Sequence, residues 1–569
     1  MRVRAWCRPG RTRSDGRRFV SVLPPNLGPP SSADHPRTFM TLAVTDERRA
    51  AAARPRPAFL SAVPHLLRRV SALLLHPRRG VAAMVGLVVA FAILWTVTLA
   101  ILKSGQVLHS DSSEAFLWGQ VPSWGSGKHP PFTGWVTHVW FVLFPARDWA
   151  LYALAMTVTG STVLLIRGLA GFVTDRRRAV LAALVAMVYP ILTFKGYKLN
   201  PDVLQLPLVV AIVWIYLVAA ERRTAAWGVA LGLAGAAACL TKYWGAWPLV
   251  AVAVAALLRR DRTALLLSPM PVVALATFAL AVAPHLAWLD AVAYAPLRYA
   301  SQYVGLGRTT ATLQGLRAEL HGLAMLLPTL VAAALAIGWP PIRRTAAAPT
   351  VAAGERLAQL RVMVVVMAVG PLLAAIGLEF WLKSDWVIPL FSLVPLAVLA
   401  SPRLAVPLRA VPRALAIAVI YAAVTLLLAP GLAVLKAWLE PDSLPARHDV
   451  LAAKLDALWA ERATSPLRVV VGEIEETANL AFYMQENPRI LSASHPELTP
   501  WLTKDALGPT GFVAVCVAAD RACVATVTAL RPYAETLEIT TERSAFGVRG
   551  QSDSWFVVLA PPEATGDAR

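Results

Sequence analysis

The sequence predicts an α-helical, polytopic membrane protein that ends in a small α/β domain. Hydrophobic residues fill 57% of its 569 positions, and only 15% are charged, against about a quarter in a soluble domain. Mean hydropathy is +0.56. Apolar runs of spanning length recur between short arginine clusters until about residue 440, where the pattern changes.

The net charge of +20 raises a nucleic-acid partner as an option. A nucleic-acid surface needs its basic residues on one face or stripe. Here the arginines fall in short groups between apolar runs, as topology signals do, so no nucleic-acid partner is expected.

Residues 1–79 read as a disordered, basic cytoplasmic tail, rich in Arg, Pro, Ser and Gly up to about Arg56 and without apolar periodicity. Met40 offers a second start. The first apolar run is long enough to span and carries no convincing cleavage site, so no signal peptide is expected.

The membrane domain is expected over 80–439. A spanning helix needs about 20 mostly apolar residues, and about eleven candidates meet that rule. They cover 81–102, 149–173, 179–195, 203–220, 225–241, 243–258, 264–288, 322–339, 362–380, 386–401 and 414–435. Thr241-Lys242-Tyr243 divides the stretch 225–258 into two. Arg78-Arg79, Arg176–Arg178, Arg222-Arg223, Arg259/Arg260/Arg262, Arg343-Arg344 and Arg403/Arg409/Arg413 fall in alternate connections. The positive-inside rule places these in the cytoplasm, with the N-terminus inside and the C-terminal region outside. No internal repeat is evident, which weighs against inverted-repeat transporter folds.

The region 440–569 is expected to be an extracytoplasmic α/β domain. Leu467–Ile474, Gly511–Val517, Thr536–Thr541 and Trp555–Leu559 read as strands, with helical patterns at Glu475–Gln485 and Asp520–Ala529 between them. Of four cysteines, Cys7 and Cys239 stand alone, while Cys516 and Cys523 either pair in an exported domain or remain inert thiols.

The outward connections collect the residues capable of chemistry. The first carries His109, Asp111, Glu114, Lys128 and His129; the second carries Lys195, Lys198, Asn200 and Asp202. Lys242-Tyr243 forms the third, Tyr294, Arg298, Tyr299, Tyr303, Arg308 and Arg317 lie in the fourth, and Lys383–Trp386 forms the fifth. Polar groups at the membrane are functional candidates because burying them in lipid is costly. Each also has a plain structural reading. Asp111 and Glu114 suit a first helical turn, and His129 precedes a rigid Pro130-Pro131 turn. Asp202 after Asn200-Pro201 fits a capped helix start. Lys242 suits a snorkelling lysine, Lys383 and Asp385 suit a connecting loop, and His109, Lys195 and Lys198 suit solvent. Convergence on one face is what favours function.

Glycosyl transfer from a phosphate-linked lipid needs a carboxylate to take the acceptor's proton and cations for the charge on the departing phosphate. Asp111 and Glu114, three residues apart, would share one side of a helical turn. Lys128, His129, Lys242 and Lys383 supply positive charge, and Trp118, Trp135, Tyr243 and Trp386 suit the interface or a sugar face.

At these residues the sequence resembles the dolichyl-phosphate-mannose protein mannosyltransferase and aminoarabinose-transferase-like group, the GT-C glycosyltransferases of family 39 type. The resemblance is carried by Asp111–Gln120 and Lys128–Trp135, with weaker support from Asn200–Asp202, Thr241–Trp244 and Trp386–Pro389. It covers roughly 80–500. It implies an inverting transferase with its catalytic acid in the first outer loop, where this sequence separates the two acids instead of placing them side by side. That spacing leaves Asp111 as the natural base and the role of Glu114 open. The resemblance further implies a polyprenyl-phosphate sugar donor with its phosphate near Lys128, His129 or Lys242, and Asp202, Tyr243 and Lys383 among the substrate-binding residues. A lipid, glycan or protein acceptor follows, with the bacterial inner membrane as location and a periplasmic active site. Loops 103–147 and 289–321 would form helices roofing the cavity. Some relatives use a divalent metal; Glu114, His129 and Asp202 are suitable ligand types, but no spacing identifies a metal. A transporter or flippase of a lipid-linked or anionic solute is the alternative, and would place charges near the bilayer midplane. A membrane scaffold whose exported domain binds a partner is a third reading, and leaves the first-loop carboxylates unexplained.

Overall fold

The computed structural model describes residues 58–338 and 351–563, with side chains described from residue 64. The expectations for residues 1–57, including Met40 and Cys7, and for Arg343-Arg344 lie outside the described residues. The tail expected to be disordered through residue 79 contains a helix at Ala58–Leu74. Leu66, Leu67, Val70, Leu73 and Leu74 recur there at helical spacing, and Leu74 is fully buried.

Among the described residues, 7 helices are long and apolar enough to cross a membrane: Gly80–Leu102, Asp148–Val173, Pro201–Arg222, Pro269–Ala291, Arg308–Ile337, Val351–Leu378 and Ala410–Leu439. They occupy seven of the expected spans. The other four expected spans fall short of that length, and two of them are broken by turns at prolines. The stretch 179–195 is a helix at Arg176–Ala186 and a 3-10 turn at Pro190–Leu192, because Tyr189 precedes a proline and is extended, with ψ 121°. The stretch 386–401 breaks into Ser384–Val387, Ile388–Leu393 and Val394–Leu399 around Pro389 and Pro395. The stretches 225–241 and 243–258 are the helices Ala225–Thr241 and Ala246–Leu257, parted where Lys242 is extended at φ −163°.

The bundle has two chemically distinct ends. At one, Arg176 donates to the Leu75 carbonyl, Arg177 to Val406 and Arg178 to Leu404. Arg223 pairs with Asp261 and Arg356 with Glu221 at the same ends of their helices. These arginines bind loop carbonyls and neighbouring carboxylates. The starts of Asp148–Val173 and Pro201–Arg222 point to the other end, where the outer helices Ser110–Gln120, Phe132–Leu143 and Ala295–Ser301 gather.

The C-terminal domain is built on a five-stranded mixed sheet, ordered β2-β1-β3-β5-β4. Its strands are β1 (Val469–Gly472), β2 (Arg489–Ser492), β3 (Phe512–Val517), β4 (Glu535–Ala545) and β5 (Val548–Ala560). β1 lies parallel to β2 and β3, and β5 runs antiparallel to β3 and β4. Side chains alternate between the faces. Val470, Val513, Val515 and Trp555 pack with Leu451, Leu455 and Trp459 of helix His448–Arg462, while Val469, Val471, Ala514 and Val558 pack with Val527 of helix Arg521–Leu530. Cys516 and Cys523 are joined in a disulfide between β3 and that last helix.

Candidate active site

Helix Ser110–Gln120 carries the first two site residues. His109 caps it, its Nδ1 accepting from the Asp111 N–H at 3.2 Å. Phe132–Leu143 packs against it so tightly that a Cβ on Gly119 would lie 2.5 Å from Thr137 Oγ1. A Cβ on Gly134 would lie 2.5 Å from the Trp118 carbonyl, so both close approaches require glycine. The C-terminal domain covers the remaining side: Ala115, Leu117 and Trp118 pack with Ile474, Ala478 and Ile490. Gln120 Nε2 donates to the Asn487 carbonyl at 2.9 Å. Tyr483 accepts from the Leu108 N–H at 2.9 Å and donates to Asp148 at 3.0 Å.

Asp111 is half-buried. Its Oδ2 receives Lys198 Nζ at 3.0 Å and Asn200 Nδ2 at 3.0 Å, with His109 Nδ1 3.8 Å from Oδ1. Burial pushes its pKa up, but Lys198 and Asn200 outweigh that and hold the carboxyl below its ordinary value. Lys198 also pairs with Asp385 at 3.1 Å. Asn200 serves two elements, since its Oδ1 accepts from Val203 N–H at 3.0 Å and caps helix Pro201–Arg222. The first turn expected at Asn200-Pro201-Asp202 is therefore present, and it also reaches Asp111.

Glu114 is buried, and Lys128 Nζ bridges both its oxygens, at 2.9 and 3.1 Å. Burial raises its pKa despite that lysine. Asp202 binds Lys242 in the same two-oxygen manner, at 2.7 and 2.9 Å. Lys242 in turn lies 4.7 Å from the centre of the Trp386 ring. Lys383 makes no ion pair with a carboxylate among the described residues; it donates to Tyr303 Oη at 3.1 Å and sits 4.2 Å over that ring. His129 packs edge-on to Trp118, with centroids 5.1 Å apart. Burial, then the charges of Lys242 and Lys128, push its pKa down to about 3, so the ring is neutral near pH 7.

Asp111, Glu114, Lys128, His129, Asp202, Lys242 and Lys383 thus form one electrostatically connected group. Tyr243 does not join it: its hydroxyl meets His285 Nε2 at 3.1 Å, and His285 Nδ1 meets the Trp124 carbonyl. Lys198, expected in solvent, and Asp385, expected in a connecting loop, join the Asp111 cluster, and Asn200, expected only as a helix cap, binds Asp111 directly. Lys198 lies only two residues before the Asn200 cap, and that proximity was the available signal. Among the described residues no three His, Cys, Asp or Glu side chains converge as metal ligands. Glu114 and Asp202 instead each hold a lysine.

Beside Asp111 a cavity of about 380 Å³ is lined by Lys103, His109, Lys195, Lys198, Asn200 and Asp385, among others. A second, of about 500 Å³, separates Lys128, Tyr299 and Tyr303 from Glu473, Glu475 and His495 of the C-terminal domain. Among the described residues the arrangement offers an ionised carboxylate in reach of solvent and a lysine that makes no ion pair with a carboxylate.

Residues 128–288 match the family model described as dolichyl-phosphate-mannose-protein mannosyltransferase. The fold is similar to that of ArnT from Cupriavidus metallidurans bound to undecaprenyl phosphate, at 17% identity and a TM-score of 0.54, over 83% of this chain and 97% of that one. The apo state of the same protein aligns at 16% identity and a TM-score of 0.53, with the same coverage. No curated protein sequence matches the chain.

Proposed function

We propose that this chain is an inverting membrane glycosyltransferase that moves a sugar from a polyprenyl-phosphate donor to a lipid, glycan or protein acceptor on the periplasmic face of a bacterial inner membrane. The observation that carries the reading is Asp111, held by Lys198 and Asn200, both of which line the neighbouring cavity. The likeness to ArnT, in its undecaprenyl phosphate complex, supports the donor class. A disulfide in the C-terminal domain supports an oxidising compartment on the site's side of the membrane.

Asp111 takes the proton of the acceptor hydroxyl as the new bond forms from its oxygen to the anomeric carbon. The bond from that carbon to the phosphate oxygen breaks, and polyprenyl phosphate departs with the electron pair. Lys383, supported by Tyr303, supplies charge for the departing phosphate, because Lys128 and Lys242 are already occupied by Glu114 and Asp202. Glu114 positions Lys128 and is not free to act as base. Should a divalent metal take part, Glu114 and Asp202 would first have to release their lysines.

Purified protein in lipid, given a radiolabelled polyprenyl-phosphate sugar and extracted envelope acceptors, tests the reading. Transfer by wild type and its loss in Asp111→Asn supports it. Label crossing the bilayer without covalent transfer makes the chain a transporter.

A further inference from the structure

The 380 Å³ cavity beside Asp111 carries more positive charge than the site's own carboxylates account for. Of its lining charges, Lys198 is shared by Asp111 and Asp385, and Asp202 is taken by Lys242. That leaves Lys103 and Lys195. Lys103 Nζ donates to Gln106 Oε1 at 3.0 Å and lies 4.1 Å over the Tyr197 ring. Neither lysine makes an ion pair with a carboxylate among the described residues.

Burial and the charges of Lys436 and Lys195 drive the Lys103 pKa down to about 8. Lys103 and Lys195 thus share one cavity, where burial is the larger penalty on the charged form of Lys103. Topology does not explain them, because the arginines that bind loop carbonyls gather at the opposite end of the bundle. The walls beside the lysines are apolar, with Ile191, Phe194 and Ile388 among them. A cavity with a cationic floor, an apolar flank and a carboxylate at its edge fits a molecule with an anionic group, an apolar portion and a hydroxyl to be deprotonated.

We infer that this cavity is the acceptor subsite, and that the acceptor bears a phosphate or carboxylate group which seats on Lys103 and Lys195 with its hydroxyl toward Asp111. The inference rests on the transferase reading and adds the acceptor's chemical class. The donor phosphate has its own cation in Lys383, beyond the Asp202–Lys242 pair, so the two anions occupy separate places.

The test uses the full chain in phosphatidylcholine nanodiscs. Amine-reactive labelling at pH 8 is followed residue by residue with glycerol 3-phosphate, glycerol or farnesyl phosphate present. Glycerol 3-phosphate is expected to slow labelling of Lys103 and Lys195 by roughly tenfold, the size of a charge-assisted contact, with no effect of glycerol. Farnesyl phosphate should leave both lysines reactive. Lys195→Gln should weaken protection of Lys103. With envelope lipids as acceptor, Lys103→Gln should raise the acceptor KM about tenfold against a donor KM shift under about twofold, and Lys103→Arg should restore it. Equal protection by glycerol, or protection by farnesyl phosphate, overturns the assignment. A wild-type chain that cleaves donor while glycerol 3-phosphate gives no protection overturns the subsite alone. A wild-type chain that cleaves no donor overturns the transferase reading and the acceptor assignment with it.

Discussion

Asn200 binds Asp111 with one end of its amide and caps helix Pro201–Arg222 with the other, both at 3.0 Å. The start of a long membrane helix and the proposed base are thereby fixed to each other by one side chain. Asn200→Asp keeps an oxygen for the cap but sets a second carboxylate against Asp111. The expected result is normal stability with transfer lowered at least about tenfold. Asn200→Ala loses both bonds, costs about 1 kcal/mol from the cap, and lowers transfer to a similar extent. Thermal unfolding and kcat/KM measured on both variants separate the two roles; a stability loss in Asn200→Ala with kcat/KM unchanged in both variants would make Asn200 a cap only.

Burial and Lys198 act in opposite directions on the proton affinity of Asp111. The wild-type carboxyl sits below its ordinary 3.8, so the acid limb of kcat/KM is expected below that pH. In Lys198→Met the burial of Asp111 remains while its main countercharge is gone, and Asp385 loses its partner too. The Asp111 pKa then rises, and activity falls as pH drops through a higher value than in wild type. A pH profile of kcat/KM checks this; an unmoved acid limb would mean that Asp111 is not the titrating base.

Glu114 and Lys128 are both largely buried, with side chains 10% and 12% exposed. Removing one partner strands the other charge, at roughly 3 kcal/mol for a buried pair. Glu114→Gln and Lys128→Met are each expected to lower the melting temperature clearly. The double variant should be more stable than the sum of the two losses, as a coupled pair requires. Additive losses would mean that the two residues act separately.

How far the sequence exposed this arrangement depends on the kind of signal. The long spans, the two-ended charge pattern and four of the five strands follow from period and composition, which are local. β2 was missed because Arg489–Ser492 is short and carries no alternation beyond Ile490-Leu491. The broken segments around Pro190 and Pro389 read as full spans because hydropathy counts apolar residues and not backbone continuity. Asp111, Glu114, Lys128 and Lys242 stood out as charges beside apolar runs. Lys198, Asn200 and Asp385 act through partners 87 to 187 positions away, and only the folded chain brings such pairs together. Tyr243 shows the converse, since adjacency to Lys242 in sequence did not put its hydroxyl at the same site.

The disulfide between Cys516 and Cys523 ties the end of β3 to the helix whose first turn is capped by Asp520. Cys516 and Asp520 also line the cleft that faces Lys128 and Tyr303, so loosening this corner reaches the roof of the site. Closing so short a loop restricts the unfolded chain by roughly 2 kcal/mol. Cys516→Ser/Cys523→Ser is expected to lose about that much stability and to retain the fold, because the helix still buries Val527 against the sheet. Alkylation in denaturant followed by mass spectrometry should show two more modified cysteines with reductant than without. Equal labelling before and after reduction would mean that the domain matures in a reducing compartment, against a periplasmic site.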